Sequence, residues 1–533
     1  MRKPVRKRGG GSFFAGRLVC LASGLLCALP LLRENLFWLS WIAMLPMAVR
    51  FMLHSPRWRE AFWFGIGYYG VLYHWFTCLY PMDFAGFSAA QSIAAVAVCW
   101  IGLTLLQTVG TAFLAPLFRM CRHLPRWSWP LSFAACWTAL EWCQTQTWLG
   151  VPYFRLALSQ STCLPMLQSA ALLGSLFTGF LIAAVNGLLA LALVSGREHA
   201  GAIPVCAALT GALLLTGANY GYGVHALSAY RDEGEPVRVT AVQANISSTE
   251  KWKSGTAISL LNAYVELSEA AVSEENPPAL LFWPETALNA NVRSSVAYRK
   301  ALREVGQNCD VPILFGAFDK LYGTKGEVRI YNALLLLDED GSLSEQVYYK
   351  RRLVPFGEFL PMKKLVTALL PVLADMNLLG DDLTPGDAPA LIDTAYGKIG
   401  GLICFDSIYE TLTLDSVREG AQLLALATND SWYQDSAAVY QHNRHAVLRA
   451  VESGRYIVRA ANTGISSIIR PTGEITASLA PLKAGVVTGD VYFRSDQTVY
   501  SIVGNVIVLF CEAWLLCGAA GAIRARYRKK RLP

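Results

Sequence analysis

Charge is scarce in this chain, and its absence is selective. Only 16% of the 533 residues are charged and 53% are hydrophobic, with a mean hydropathy of +0.34. Soluble domains carry about 25% charged residues, so an ordinary soluble enzyme is excluded. No Cys/His spacing resembles a zinc site. His442 and His445, three apart on an expected helix, have no clear third ligand nearby and read as surface or core residues. No small-x-small site ends the first apolar run, which therefore reads as an uncleaved anchor and not a secretory signal. The apolar runs show no internal repeat and hold few charges besides Glu141, which argues against a transporter. A disulfide scaffold is missing too. Of thirteen cysteines, ten lie in or beside apolar runs, Cys121 lies in a basic loop, and only Cys309 and Cys404 fall elsewhere.

What is present comes in blocks. A bilayer core about 30 Å thick needs roughly 20 apolar helical residues to cross it. Seven candidates precede a stretch of ordinary composition: Ser12 to Leu31, Leu36 to Leu53, Glu60 to Tyr80, Ala89 to Phe118, Trp127 to Trp148, Leu164 to Val194 and Gly201 to Tyr220. An eighth runs from Val499 to Ala519. Lys and Arg cluster before the first, between alternate pairs (Arg57, Arg59; Arg119, Arg122, Arg126; Arg197) and after the last. With eight crossings all of these share one side, Arg33 and Arg155 being the exceptions. The positive-inside rule then places both termini in the cytoplasm and the intervening segment outside. The same clustering accounts for the net charge of +7 without nucleic acid. The expected domains are residues 1–222, a seven-helix membrane domain; 223–497, an extracytoplasmic α/β domain; and 498–533, a last helix with a basic cytoplasmic tail.

Between Pro236 and Asp496 short β-rich runs alternate with helical stretches. Strands are predicted at 237–243, 279–283, 311–318, 331–337, 398–405, 423–427, 466–470 and 486–492, and helices at 256–273, 295–307 and 437–453. Thr472-Gly473 marks a hairpin turn. Strands apolar along their whole length are buried on both faces, which makes this an α/β domain with sheet at its centre. Three reactive side chains lie just past probable strands: Glu285 after Ala279–Trp283, Lys350, and Cys404 at the end of Gly397–Phe405. Ligands gather at the carboxyl ends of strands in such sheets. A carboxylate, an ammonium and a thiol are the parts needed to make and break an acyl-thioester.

The segment resembles the nitrilase superfamily, and the whole chain resembles the apolipoprotein N-acyltransferases. The matching stretches are Val242-Gln-Ala-Asn-Ile246 with Trp252, Trp283-Pro-Glu-Thr286, Tyr331-Asn332, Lys350-Arg-Arg-Leu-Val-Pro-Phe-Gly-Glu-Phe359, Leu402-Ile-Cys404, Asn429-Asp-Ser-Trp432, Gln441-His442 and Asn462-Thr-Gly-Ile465. The membrane half matches in helix count and charge pattern, and at Glu141 and Pro152. The resemblance implies a polytopic α-helical membrane domain of about eight spans joined to a nitrilase-like α-β-β-α sandwich. It implies catalytic roles for Glu285, Lys350 and Cys404, and supporting or substrate-binding places for Glu358, Phe405, Asp406, Trp252 and Asn332. The family usually shows Cys-Tyr-Glu at the nucleophile, where this chain has Cys404-Phe405-Asp406.

The implied reaction transfers a fatty acyl chain from a membrane phospholipid to the N-terminal amine of a diacylglyceryl-cysteine apolipoprotein, through a thioester on Cys404. Lys350 is expected to lower the thiol's pKa, Glu285 to act as general base, and Lys350 with the Phe405 N–H to receive the oxyanion. No metal, nucleotide or organic cofactor is called for, and a monomer in the bacterial inner membrane, with its catalytic domain on the periplasmic side, is expected. The apolar stretch Leu360 to Leu379, broken at Pro371, reads as an arm dipping into the outer leaflet, with a core helix pair as the alternative. The rival functions are a membrane-anchored hydrolase of small amides and a transporter with an inactive nitrilase-like module.

Overall fold

Successive side chains on a strand point to opposite faces, so a strand apolar on every residue needs a cover on both sides. The strand Val328–Leu337 obeys this rule: Leu334 and Leu336 enter one core while Ala333, Leu335 and Leu337 enter another. The computed structural model describes residues 11–82, 86–147, 150–251, 257–323, 327–364, 368 and 382–531. It divides into two compact units, one drawn from Met1–Thr77, Ala95–Ser228 and Asn505–Pro533, the other from Cys78–Ala94 and Ala229–Gly504.

In the second unit, thirteen strands are found among the described residues: β1 (Val237–Gln243), β2 (Leu280–Phe282), β3 (Leu288–Asn291), β4 (Ile313–Tyr322), β5 (Val328–Leu337), β6 (Leu343–Tyr349), β7 (Leu391–Thr394), β8 (Gly397–Ile403), β9 (Leu423–Thr428), β10 (Ile457–Ala461), β11 (Ser466–Ile469), β12 (Ile475–Leu479) and β13 (Gly485–Val491). One sheet has the order β13-β1-β2-β4-β5-β6 with β3 beside β4, and the other has the order β12-β11-β10-β9-β8-β7. The centre of each is parallel, β1 to β2 to β4 and β8 to β9 to β10. Val239, Ala241, Phe282 and Leu336 of the first sheet meet Ile403, Ala425 and Val458 of the second in one buried layer. On the far side of the first sheet, Leu281, Trp283 and Phe315 pack on Leu260, Tyr264, Leu302 and Val305 of the helices Ala257–Val272 and Val296–Cys309. The helices Glu410–Arg418 and Ala437–Ser453 cover the other sheet. The result is an α-β-β-α sandwich, in which each fully buried Leu, Ile or Phe contributes roughly 1.5–3 kcal/mol.

All eight predicted strands and three predicted helices are present, and Ala437–Ser453 is bounded as expected because Ser436 caps its start and Gly454, at φ 65°, ends it. Five strands lay outside the predicted ranges: β12 follows the expected Thr472-Gly473 turn, and β3, β6, β7 and β10 had no predicted range. β3 and β7 are only four residues long, and β6 carries Ser344, Glu345 and Gln346 on an only partly buried run. In β10 the alternation is broken by Arg459, which is fully buried and paired with Asp430 at 2.7 Å.

In the first unit and its continuation, six helical stretches are long and apolar enough to cross a bilayer: Phe14–Leu32, Glu34–Leu53, Ala89–Cys121, Ala170–Arg197, Ala202–Ala229 and Val506–Arg528. Eight were expected. The expected spans Glu60 to Tyr80 and Trp127 to Trp148 fall on α-helices of 15 residues each, Trp58–Leu72 and Trp129–Cys143, about 22 Å long at 1.5 Å per residue. Leu36 to Leu53 is built from three short helices, the last opening on Pro46. Buried polar side chains tie these helices together. Asn186 donates to the carbonyls of Ser40 and Ile182 and accepts from the Met44 N–H. Glu141 is buried and accepts from the Leu156 N–H at 2.7 Å, and Gly179 leaves it room, since a Cβ there would lie 2.9 Å from Glu141 Oε2. Of the proposed arm Leu360 to Leu379, residues 365–367 and 369–379 lie outside the described residues.

Candidate active site

Each of the three reactive residues leaves the sheet where its strand ends. After β2, Trp283 still donates to Leu314 O, and Pro284 then carries the chain off to Glu285. Gly316 on β4 permits that exit: a Cβ there would lie 2.5 Å from both Pro284 O and Thr286 N. Lys350 follows β6 directly, its N–H bonded to Asn332 O at 2.9 Å. Cys404 follows β8 and begins a short 3-10 helix, Cys404–Ile408, with φ +48°. That left-handed conformation costs an L-residue about 1–2 kcal/mol and persists only where neighbours hold it.

Glu285 is the hub. Its Oε1 accepts from Lys350 Nζ at 2.9 Å and Asn332 Nδ2 at 2.7 Å, and its Oε2 from the Asn429 N–H at 2.9 Å. Asn429 stands just past β9, so the carboxylate from one sheet is held by the backbone of the other. Lys350 Nζ donates to Glu358 Oε1 at 2.8 Å as well, and Glu358 Oε2 accepts from the Val354 N–H at 2.8 Å. Glu285 and Lys350 are 5% and 1% exposed, so solvent screens this group little. Burial pulls the Lys350 ammonium toward neutrality, but the Glu285 and Glu358 carboxylates outweigh it and hold its pKa well above the ordinary lysine value.

Burial also raises the Cys404 thiol, Glu285 adds to that rise, and Lys350 acts downward without cancelling it. The expected lowering by Lys350 is therefore present as one contribution, while the net shift is upward. At rest this shift favours the protonated Cys404 thiol.

Phe405 and Asp406 follow Cys404, and both face inward. Asp406 is fully buried; Oδ2 accepts from Tyr348 Oη at 2.9 Å and the Ile403 N–H at 3.0 Å, and Oδ1 from the Arg352 and Arg351 N–H groups at 2.8 and 3.3 Å. The shorter carboxylate thus fastens the loop after Lys350 to the turn that carries Cys404. Burial pushes its pKa up to about 6 against the pull of Lys350. Phe405 packs edge-on against Tyr409 at 5.6 Å. Asn332, buried at 2% exposure, reaches both Glu285 and Glu358. Trp252 lies outside the described residues.

Three further residues at the site carried no role in the sequence reading. Lys251 is 1% exposed and donates to Glu285 O at 3.1 Å; burial drives its pKa down to about 7, with Glu285 and Cys404 opposing. Asp430 and His442 are buried behind Cys404. His442 Nδ1 is 2.8 Å from Asp430 Oδ1, and Asp430 Oδ2 accepts from Arg459 Nη2 at 2.7 Å. Burial raises the Asp430 carboxyl, but Arg459 and His442 outweigh it and hold the group well below the usual carboxylate range. Cys404, Asp430 and His442 present ligand-type atoms within 4.8 Å of one another. Both ring nitrogens already face protein partners, since Nε2 lies 3.1 Å from Ser407 Oγ and 3.2 Å from Cys404 O. His442 and His445, read as surface or core residues, are both core. The stretches Asn429–Trp432 and Gln441-His442 were the only sequence signal for the Asp430–His442 pair.

The carbon-nitrogen hydrolase family model matches residues 238–497, and the apolipoprotein N-acyltransferase N-terminal domain model matches 23–188. The apolipoprotein N-acyltransferase of Geobacter metallireducens is 30% identical over 525 residues, covering 96% of this chain and 95% of the relative. That of Gloeobacter violaceus is 30% identical over 529 residues, covering 97% and 96%. That of Pseudomonas aeruginosa strain LESB58 is 28% identical over 519 residues, covering 95% and 94%. The six long apolar helices agree with a membrane protein of this kind. The similarity runs through both halves, so the chain is a member of the apolipoprotein N-acyltransferase family.

Proposed function

We propose that this chain is an acyltransferase that moves a fatty acyl group from a membrane phospholipid to the N-terminal amine of a diacylglyceryl-cysteine apolipoprotein, by way of a thioester on Cys404. The observation that carries the reading is the Glu285 carboxylate, bonded to Lys350 and Asn332 from one sheet and to Asn429 from the other, beside a buried thiol. It stands in a chain that aligns with family members from end to end.

In the first half-reaction, Glu285 takes the thiol proton as the sulfur attacks the ester carbonyl. The oxyanion forms against the Lys350 ammonium and the Phe405 N–H, donors worth about 3–4 kcal/mol each when preorganised. Glu358 keeps Lys350 aimed and charged. Collapse breaks the ester C–O bond, and the leaving lysophospholipid oxygen takes the proton from Glu285. In the second half, Glu285 takes one proton from the incoming ammonium and passes it to solvent, and the free amine attacks the thioester. As the C–S bond breaks, a second proton from the attacking nitrogen passes through Glu285 to the sulfur, and an amide remains. Transfer wins over hydrolysis when lipid and apolar side chains keep water from the thioester.

The charge clusters support cytoplasmic termini and a catalytic domain outside the membrane, with eight crossings and boundaries near residues 222 and 497. Incubating the full-length protein with labelled phospholipid and a diacylated lipopeptide tests the reading. Label should pass to the peptide amine with wild type and not with Cys404→Ala. Label released only as free fatty acid would identify a hydrolase instead.

A further inference from the structure

The Phe405 N–H is the second of the 3-10 helix Cys404–Ile408, and the first N–H groups of a helix have no partner within it. Its direction is set by the rest of its own peptide group. A trans peptide is planar, and its C=O and N–H point opposite ways. The carbonyl of that unit is Cys404 O, which accepts from Ser407 Oγ at 2.8 Å and lies 3.2 Å from His442 Nε2. Whatever holds Cys404 O inward therefore turns the Phe405 N–H outward, toward the position the reacting carbonyl must take. A peptide rotated by half a turn would present an oxygen there and repel the developing charge.

This peptide needs holding. Cys404 sits at φ +48°, a conformation that favours glycine, so neighbouring contacts must decide its orientation. The anchor is itself braced. Asp430 Oδ1 faces His442 Nδ1 at 2.8 Å and accepts from Thr428 Oγ1 at 3.1 Å, while Arg459 grips Asp430 Oδ2 at 2.7 Å. Arg459 in turn donates to the Ile465 carbonyl. For the ring to hold that carbonyl, Nε2 must carry a hydrogen and donate to Cys404 O beside the Ser407 hydroxyl.

We propose that His442, braced by Asp430 and Arg459, and Ser407 are positioning residues that pin the Cys404–Phe405 peptide with its N–H in the oxyanion site. The inference rests on the acyl-transfer reading above and deepens it. It separates two properties of Cys404: attack that generates an oxyanion depends on the pin, and attack on a saturated carbon does not.

The test uses the full-length protein in detergent with a phospholipid acyl donor and, separately, iodoacetamide. Acyl-enzyme formation is followed by intact mass and alkylation by its rate. In His442→Ala, acylation should fall about 100-fold or more, the usual effect of losing one oxyanion donor, with alkylation within about threefold of wild type. His442→Gln, whose amide can donate from a similar reach, should recover at least about tenfold of that loss, and Ser407→Ala should lose less than His442→Ala. Unchanged alkylation also certifies that the variants are folded around Cys404. Parallel loss of acylation and alkylation would assign His442 to thiol electrostatics or folding and overturn the pin. Unchanged acylation in both His442→Ala and Ser407→Ala would overturn it too. A wild type that alkylates and never acylates would remove the acyl-transfer reading and this inference with it.

Discussion

Glu285 Oε1 and Lys350 Nζ are 2.9 Å apart in a site almost closed to water, and Glu358 holds the other side of the same ammonium at 2.8 Å. Two carboxylates on one lysine give the cluster a net negative charge beside a thiol that must lose a proton. That arrangement favours the protonated form of the Cys404 thiol.

The two carboxylates should separate by function. Glu285→Gln should reduce acyl-enzyme formation by at least about 10³-fold while keeping the fold, because the amide can still accept one bond and has no basicity. Glu358→Ala leaves Lys350 with one partner, and breaking a buried pair costs about 3–5 kcal/mol. Its melting temperature should drop along with its activity. Acylation rates and thermal unfolding of both variants check this, and a Glu285→Gln protein with near wild-type acylation would remove Glu285 as the base.

Asp406 predicts a pH-dependent stability. Burial raises its pKa from 3.8 to about 6 in the folded protein. The folded state therefore binds this proton more tightly than the unfolded chain does. The stabilisation is complete below about pH 4 and is lost as pH rises through about 6. The melting temperature of Asp406→Asn should fall less than that of wild type between those limits. Equal slopes would place the titration elsewhere. Asp406→Glu, which restores the family's usual acid, should destabilise by about 1–3 kcal/mol, since the four donors around Asp406 already close on the shorter side chain.

Lys251 should act on the thiol in a pH window of its own. With a pKa near 7, it carries charge below neutrality and little above. A positive charge near Cys404 favours thiolate, so Lys251→Met should slow iodoacetamide alkylation at pH 6 and have little effect at pH 8.5. The rate ratio of wild type to variant should approach one as pH rises through about 7. A ratio independent of pH would mean that Lys251 only supports the Glu285 backbone.

Glu141 is bound to the protein's own backbone, which favours a structural role. Glu141→Gln can still accept from the Leu156 N–H and should cost less than about 1 kcal/mol, while Glu141→Ala leaves that buried donor unpaired at about 1–3 kcal/mol. Thermal unfolding in detergent distinguishes the two. Loss of phospholipid turnover in Glu141→Gln without loss of stability would point instead to recognition of a lipid amine.

Much of this was legible in the chain because sheet geometry leaves a strong signature. Glu285 and Cys404 each follow an apolar strand buried on both faces, and such strands end where loops and ligands begin. Lys350 instead follows the partly buried β6, whose apolar signal is only the short run Val347-Tyr-Tyr349. Lys251, Asp430 and His442 were not legible, since a lysine, an aspartate or a histidine in a helix or loop has a solvated reading that local sequence cannot reject. Only tertiary packing turns them inward. The Cys404 thiol shows the same limit, because Lys350 beside it argues for a lowered pKa until burial and Glu285 are included. In the membrane half, hydropathy finds apolar stretches but not helix breaks. Glu60 to Tyr80 reads as one span, yet the α-helix stops at Leu72 and continues as 3-10 turns from Tyr73.

The proposed reaction passes through one covalent bond, the thioester on Cys404. Intact-mass analysis of the full-length protein after incubation with a phospholipid of defined acyl chains, without acceptor, should show one added acyl group. Peptide mapping should place it on Cys404, and a diacylated lipopeptide should remove it as its N-acylated product. An unmodified protein under conditions that support acyl transfer, or an acyl group on any other residue, would contradict the account.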